Sequence, residues 1–487
     1  MSIFSKELKT DSKHPISQVS IKQHKRAEFK CLTSPIQPFT TRTAQLTPDF
    51  LDACWEPLAS DMAYIASRNA IATMDVFAVV QNRDVLQNAS HVYSNKCSKE
   101  SKCSTQRSSG RCWMFAMCNV MRVELMKHFK LPPDFELSQS FLFFYDKLER
   151  CNYFLESIIK TRGMEVSSRL VSHLNRSPLS DGGQWDMLVN IVQKYGICPK
   201  AVFPETMCCV ASNHMNKFLT NRLRTCASEL RTAGNKSEDE LRTRKFAMMQ
   251  EFHRVLATFF GKPPTHFNWE FRDTNKKFHV FKGLTPRAFY NNLVPFDINA
   301  RISLIHDPRN EYYKQYTVEY LGNVVEGIPI RYINVPIGVL RAAVVASIDG
   351  DKPVWFGCDV GKSIQYQRGL LDPKLFDFKS AFGGIDFGMD KKTRLLYGES
   401  LMTHAMVFTA YDRKQNGAIR AWRVENSWGT NNADKGYLCM SDTWFDEWVY
   451  QVAVHRDFID SKIVAILNEK AITLPIWDPM GALARTM

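Results

Sequence analysis

The chain has 487 residues, 45% of them hydrophobic and 23% charged, a globular mixture with enough apolar side chains for a sizeable core. Its net charge of +13 raises nucleic acid as a weak partner, although surplus solvated Lys and Arg account for it equally well. Apolar runs such as 335–345 are cut by Pro, Gly or Arg, and the opening residues MSIFSKELKTDSKH lack the apolar core of a signal peptide, so a soluble, cytoplasmic chain with no membrane partner is expected.

Residues 1–46 are rich in Ser, Thr and Lys, lack apolar periodicity, and read as a flexible extension. Order is expected from Leu46, where Thr47 can cap a helix with Pro48 in its first turn. Residues 93–106 are polar and turn-like. A helix follows over 112–129, apolar on all sides at its start and surfacing where Asn119, Arg122, Glu124 and Lys127 appear. Charged, helix-forming stretches from about 210 to 300 read as a helical insertion. From about 315 the pattern turns to strands: YTVEYL, PVWFGCDV, HAMVFTAY, AIRAWRVENSW and GYLCM. Helices first and an antiparallel-looking strand set second predict an α+β architecture.

Thirteen cysteines, without a C-x-x-C pair, argue for reduced thiols. Cys112 stands apart from the rest. It follows a Ser-Ser-Gly loop and opens the buried helix, where the positive end of the helix dipole favours a thiolate. Arg111 beside it is a further candidate source of positive charge. His404, at the head of the apolar strand HAMVFTAY, is the candidate base. Asn426 can orient it, because Trp422, Val424, Asn426 and Trp428 share one face of a strand and bring an indole beside the amide. Gln106 lies where its side-chain amide, with the Cys112 N–H, can bind an oxyanion. The groupings Cys208-Cys209-x4-His214 and Cys97-x5-Cys103 lack a second half at zinc spacing, so neither metal nor organic cofactor is expected.

The order Q-x5-C-W, then H-A, then N-S-W-G resembles the papain superfamily of cysteine peptidases. The blocks SSGRCW, DGGQWDMLVNIV, WFGCDVGK, GESLMTHAM, WRVENSWG, GYLCM and DPMGALA resemble its bleomycin hydrolase family more closely, over most of the chain. That resemblance implies a papain-like fold, a helical half beside an antiparallel β half, over 47–487. It implies Cys112 as nucleophile, His404 as base, Asn426 as orienter and Gln106 as oxyanion donor. Asp181-Gly182-Gly183-Gln184 would form the wall of the substrate cleft, and Trp113, Gly182, Gly183, Trp428 and Ala484 are expected against substrate. The insertion would help to build a homohexamer. A C-terminal arm, 474–487, would lie in the cleft with a terminal carboxylate facing a substrate's free α-amine, giving an aminopeptidase acting on peptides with a free N-terminus and on bleomycin-like amides. Arg485-Thr486-Met487 would be removed to leave Ala484 terminal. Two other readings are a nucleic-acid-binding oligomer with secondary peptidase activity, raised by the basic stretches 221–231 and 242–245, and a ring that has lost catalysis. The presence of all four chemical groups speaks against the second.

Overall fold

The computed structural model describes residues 45–483. The expected extension up to residue 44, Ala484 and the expected trimming of Arg485-Thr486-Met487 lie outside the described residues. Thr47 caps the helix Pro48–Leu58 through a 3.3 Å bond from Phe50 N to its hydroxyl, with Pro48 in the first turn. This helix belongs to a leading unit that ends at Asp61, so the main compact unit begins at Met62 rather than at residue 47.

In the main unit a helical half and a twelve-stranded sheet enclose the helix Cys112–Phe129. The sheet's middle is antiparallel, running Arg301–Ile305, Val449–His455, Val354–Cys358, His404–Arg413, Ile419–Glu425 and Tyr437–Ser441 in spatial order. Side chains alternate across these strands. Trp355, Ala405, Val407 and Ala453 join the core shared with the helices, whereas Val354, Phe356, Met406, Phe408, Val452 and Val454 pack with Leu340, Val344 and Ile348 of the helix Ile337–Asp349. With apolar layers on both faces, the strand Val354–Cys358 is buried throughout and reads as an unbroken apolar run.

The helix Cys112–Phe129 follows the expected bounds, but it surfaces later than its polar residues suggest. Asn119 and Arg122 are buried. The helix is wedged between two halves, so a polar residue on it must find a partner inside. Asn119 accepts from Ser104 Oγ at 3.3 Å, and Arg122 pairs with Glu425 at 2.7 Å with both side chains sealed from solvent. Removing one member of such a pair costs about 3–5 kcal/mol. This pair ties the helix opened by Cys112 to the residue before Asn426.

The insertion contains the helices Asn213–Arg231, Glu238–Phe260 and Pro286–Leu293, but it is not wholly helical. Phe267–Arg272 and Phe278–Leu284 form an antiparallel hairpin. Its alternating aromatics and the Asp273-Thr274-Asn275-Lys276 turn, with Lys276 at φ 64°, were masked by the surrounding helix-forming charges. Met215, Leu219, Leu223, Phe252 and Leu256 join the same core as the helix Gln139–Lys160, so this segment is part of the body.

Candidate active site

Cys112 is the first residue of its helix and is fully buried. Two amides of the first turn, Met114 N and Phe115 N, bond back to Arg111 O. The preceding loop is closed on itself: Ser109 Oγ donates to Gln106 O at 2.7 Å, and Gln106 Nε2 donates to Ser109 O at 2.6 Å. The loop is also fastened to the strand side, where Gln106 N donates to Ser427 O at 2.8 Å and Ser427 Oγ to Gln106 Oε1 at 2.6 Å. Two candidate groups more than 300 residues apart in sequence, Gln106 and Asn426-Ser427, thus meet directly.

Arg111 does not direct its charge at the thiol. Its guanidinium forks onto Glu205 at 3.0 and 3.1 Å, donates to Ser109 Oγ and Cys209 O, and lies over Phe115 and Phe143. A planar fork satisfied by a carboxylate is a structural clamp. The dipole of the helix is a feature that favours a Cys112 thiolate.

His404 opens the strand His404–Arg413, opposite Cys358 in the register. The Cys358 thiol is pushed up by burial first and then by Asp359 and Cys112, which places Cys112 near this end of the strand pair. Asn426 Oδ1 accepts from Ser427 N at 2.7 Å, which fixes the amide with its oxygen toward His404. His404 Nε2, 2.9 Å from that oxygen, must therefore be the donor. Nδ1 is then the lone-pair nitrogen of the neutral ring, buried and without a hydrogen-bond partner among the described residues. Burial pushes the imidazole down to about 4, only partly offset by the bond to Asn426, so burial favours the neutral ring.

Trp428 stacks on the His404 ring at 5.0 Å between centroids and 28° between planes, and is itself half-buried. Trp422 takes no part in this contact. It stacks on Phe445 in the core behind and donates to Asp442. The shared-face argument therefore selects the right indole only past the strand's end at Glu425.

Four groups that the sequence analysis does not single out hold the approach to His404. Thr403 Oγ1 donates to Asp359 Oδ1 at 3.0 Å, Ser400 Oγ donates to Asp359 Oδ2 at 2.8 Å, and Ser400 bonds Tyr450 OH at 2.6 Å. They pin the loop entering His404. Asp359 follows the buried strand Val354–Cys358, and a carboxylate ending so apolar a run is the signal that could have marked it.

On the opposite wall, Trp113 is fully buried; its indole donates to Asp181 O at 2.7 Å. A Cβ at Gly183 would stand 2.6 Å from that ring. The expectation that Trp113 meets substrate is revised: it supports the glycine wall from beneath and acts on substrate only through it. Arg150 Nη2 holds Gly182 O at 2.7 Å.

A cavity of about 690 Å³ is lined by Ser180, Met187, Met402 and Thr403 and by residues 476–479 and 481–483 of the arm. The arm is held along its length. The strand Ile472–Leu474 pairs in parallel with Lys314–Val318, Arg309 pairs with Asp478 at 2.8 Å, and Met480 is buried. Gln184 Nε2 donates to Ala482 O at 2.5 Å, bringing the arm against the segment that holds the glycine wall. Among the described residues no three His, Cys, Asp or Glu side chains converge as metal ligands, and no helix is long and apolar enough to cross a membrane.

The Peptidase C1-like family model matches residues 45–481. Bleomycin hydrolase of Mus musculus is 43% identical over 452 residues, covering 91% of this chain and 99% of that one. The Homo sapiens bleomycin hydrolase is 44% identical over 450 residues, covering 90% and 99%. Aminopeptidase C of Streptococcus thermophilus is 39% identical over 443 residues, covering 90% and 99%. Among solved structures, PepW from Lactobacillus rhamnosis superposes with a TM-score of 0.88 at 40% identity, over 91% of this chain and all of that one. With the fold, the site geometry and these matches in agreement, the chain belongs to the Peptidase C1-like family and is a cysteine-type peptidase of papain-like α+β fold.

Proposed function

We propose that this peptidase is an aminopeptidase of the bleomycin hydrolase type, acting through Cys112, His404 and Asn426. The observation that carries the triad is the fixed Asn426 amide: it makes Nε2 the donor and leaves Nδ1 as the base. His404 Nδ1 takes the Cys112 proton, and the two charges form together. The sulfur attacks the carbonyl carbon of the first peptide bond. The resulting oxyanion is bound by the Cys112 N–H and by the Gln106 side-chain amide. His404 protonates the leaving nitrogen, the C–N bond breaks, and a thioester remains. Water, deprotonated by His404, then attacks the thioester and releases the acid and the thiolate.

The exopeptidase half of the proposal rests on the arm. Its placement along the cavity and against Gln184 supports a blocked non-primed side, where a free α-amine is tolerated and a longer chain is not. The names of the relatives, bleomycin hydrolase and aminopeptidase C, agree with such an activity and extend it to bleomycin-like amides. The test compares one fluorogenic peptide with a free and an acetylated N-terminus, using wild type and Cys112→Ala. Cleavage of the free form alone, lost in the variant, is expected. Equal cleavage of both forms would retain the nucleophile and discard the arm's role.

A further inference from the structure

The two walls of the cleft must hold a fixed register. One carries Gln106, Gly110 and Cys112, the other Gly182 and Gly183. We propose that Asp181 is a positioning residue for the peptidase reaction, its single carboxylate locking the nucleophile loop, the glycine wall and the first turn of the insertion into one catalytic geometry. The role rests on the peptidase reading above and extends it to a residue outside the triad.

Each carboxylate oxygen is used twice. Oδ1 accepts from Lys147 Nζ at 2.6 Å and from Asn216 Nδ2 at 2.7 Å. Oδ2 accepts from Gly110 N at 3.1 Å and from Ser212 Oγ. Four donors fill the acceptor sites of an ionised carboxylate. The main-chain oxygen of the same residue takes the Trp113 indole. Gly110 lies two positions before the nucleophile and Trp113 one after it, so Asp181 grips the loop on both sides of Cys112. Gly182 and Gly183 follow Asp181 directly and move with it. Burial opposes its ionisation, but Lys147, Ser212 and Asn216 outweigh burial and hold the carboxyl well below the usual range.

The donors Ser212 and Asn216 stand at the start of the helix Asn213–Arg231. The same turn touches the loop again, because Ser108 N donates to Val210 O at 2.9 Å and Arg111 donates to Cys209 O. The insertion therefore completes the nucleophile loop from behind, and Asp181 is the group in which the three segments converge.

Asp181→Asn isolates this role. The amide has one oxygen and one NH2 group, so one pair of donors must lose its acceptor. Turning the NH2 toward Lys147 would set a buried cation against a donor. The substitution therefore settles with its NH2 facing Gly110 N and Ser212, and releases the loop. Misplacing reacting groups by about 1 Å costs on the order of 10²-fold in rate.

The experiment measures two rates on wild type and Asp181→Asn: kcat/KM for a free-amine fluorogenic peptide, and alkylation of Cys112 by iodoacetamide with the labelled site verified by peptide mapping. Alkylation needs the thiolate but no oxyanion hole and no glycine wall. The expected result is a fall of about 100-fold in kcat/KM with alkylation within about threefold of wild type. A merely structural role lowers both rates together, and that outcome overturns the proposal, as does an unchanged kcat/KM. Should Asp181→Asn not fold, Lys147→Met/Asp181→Leu removes both buried charges at once and is read by the same split. Wild-type protein that is alkylated yet hydrolyses no peptide would overturn the peptidase reading, and this role with it.

Discussion

The two walls of the cleft are built from different chemistry. Behind Cys112 the fastening is ionic: Arg111 with Glu205, Lys147 with Asp181 and Arg150 with Asp146, every cation buried. Around the base it consists mainly of neutral amides and hydroxyls, with Asn426, Ser427, Ser400, Thr403 and Tyr450 in direct bonds and Asp359 set one residue further back. Burial and the Asn426 bond are what act on the imidazole. The contrast teaches where charge is allowed to change. Charges behind Cys112 are paired permanently and hold a backbone in place. In the proposed mechanism a charge on His404, with no carboxylate bonded to it, is balanced by the thiolate made when the proton moves. A carboxylate at the position of Asn426 would hold the imidazolium permanently and weaken the base's coupling to the nucleophile.

If the walls differ in this way, single truncations should hurt them unequally. Arg111→Met leaves Glu205 without its buried partner and is expected to destabilise by about 3–5 kcal/mol. Arg111→Met/Glu205→Gln should recover a large part of that loss, because the uncompensated charge is gone. Ser427→Ala, on the neutral wall, removes one hydroxyl bond to Gln106 and should cost only about 1–2 kcal/mol. Chemical denaturation of the three variants checks the order. Equal losses for Arg111→Met and Ser427→Ala would abolish the distinction between the walls.

The neutral wall makes its own prediction in pH. The unfolded imidazole titrates near 6.5, and the folded one is pushed down to about 4 by burial. Between those values the unfolded chain binds the proton and the folded chain does not, so stability rises with pH. As pH falls from 6.5 toward 4, Cys112→Ala should lose roughly 3 kcal/mol through His404 alone. His306, also pushed down to about 4 by burial, contributes a slope of the same sign. The comparison is therefore with Cys112→Ala/His404→Asn, which retains the His306 contribution and should show the smaller slope. Parallel curves would mean that His404 is not buried as a neutral base.

What could be read from the sequence divides along the same line. The helix Cys112–Phe129 and the strands carrying His404 and Asn426 are visible because apolar periodicity and local order determine them. Gln106, Cys112, His404 and Asn426 stand out in the sequence by their neighbours, and the fold brings Gln106 to Ser427 and His404 to Asn426. The ionic wall was not legible. Lys147, Arg150 and Glu205 look like solvent-facing charges in sequence, and only the fold shows that each cation has a carboxylate waiting inside. Arg122 was misplaced at the surface for the same reason. The hairpin within the insertion and the Asp359 loop depend on contacts between distant segments, which periodicity does not report.

The smallest expected effect lies inside the ionic wall, where the glycine strip passes over the helix opened by Cys112. Gly183 lies directly over the Trp113 ring, with a Cβ 2.6 Å from its carbons. The ring cannot retreat, since its nitrogen is tied to Asp181 O and its far side is core. Gly183→Ala must therefore lift the wall into the cleft or push the ring toward Cys112, an overpacking that costs about 1–3 kcal/mol. Lifting the wall narrows the path for substrate main chain, so KM for the free-amine peptide should rise by about tenfold while iodoacetamide labelling of Cys112 stays near the wild-type rate. Pushing the ring would instead slow labelling, because it displaces the first turn of the nucleophile helix. The ratio of the two effects tells which part yields: a raised KM with unchanged labelling means that the glycine backbone moves, and slowed labelling means that the helix does.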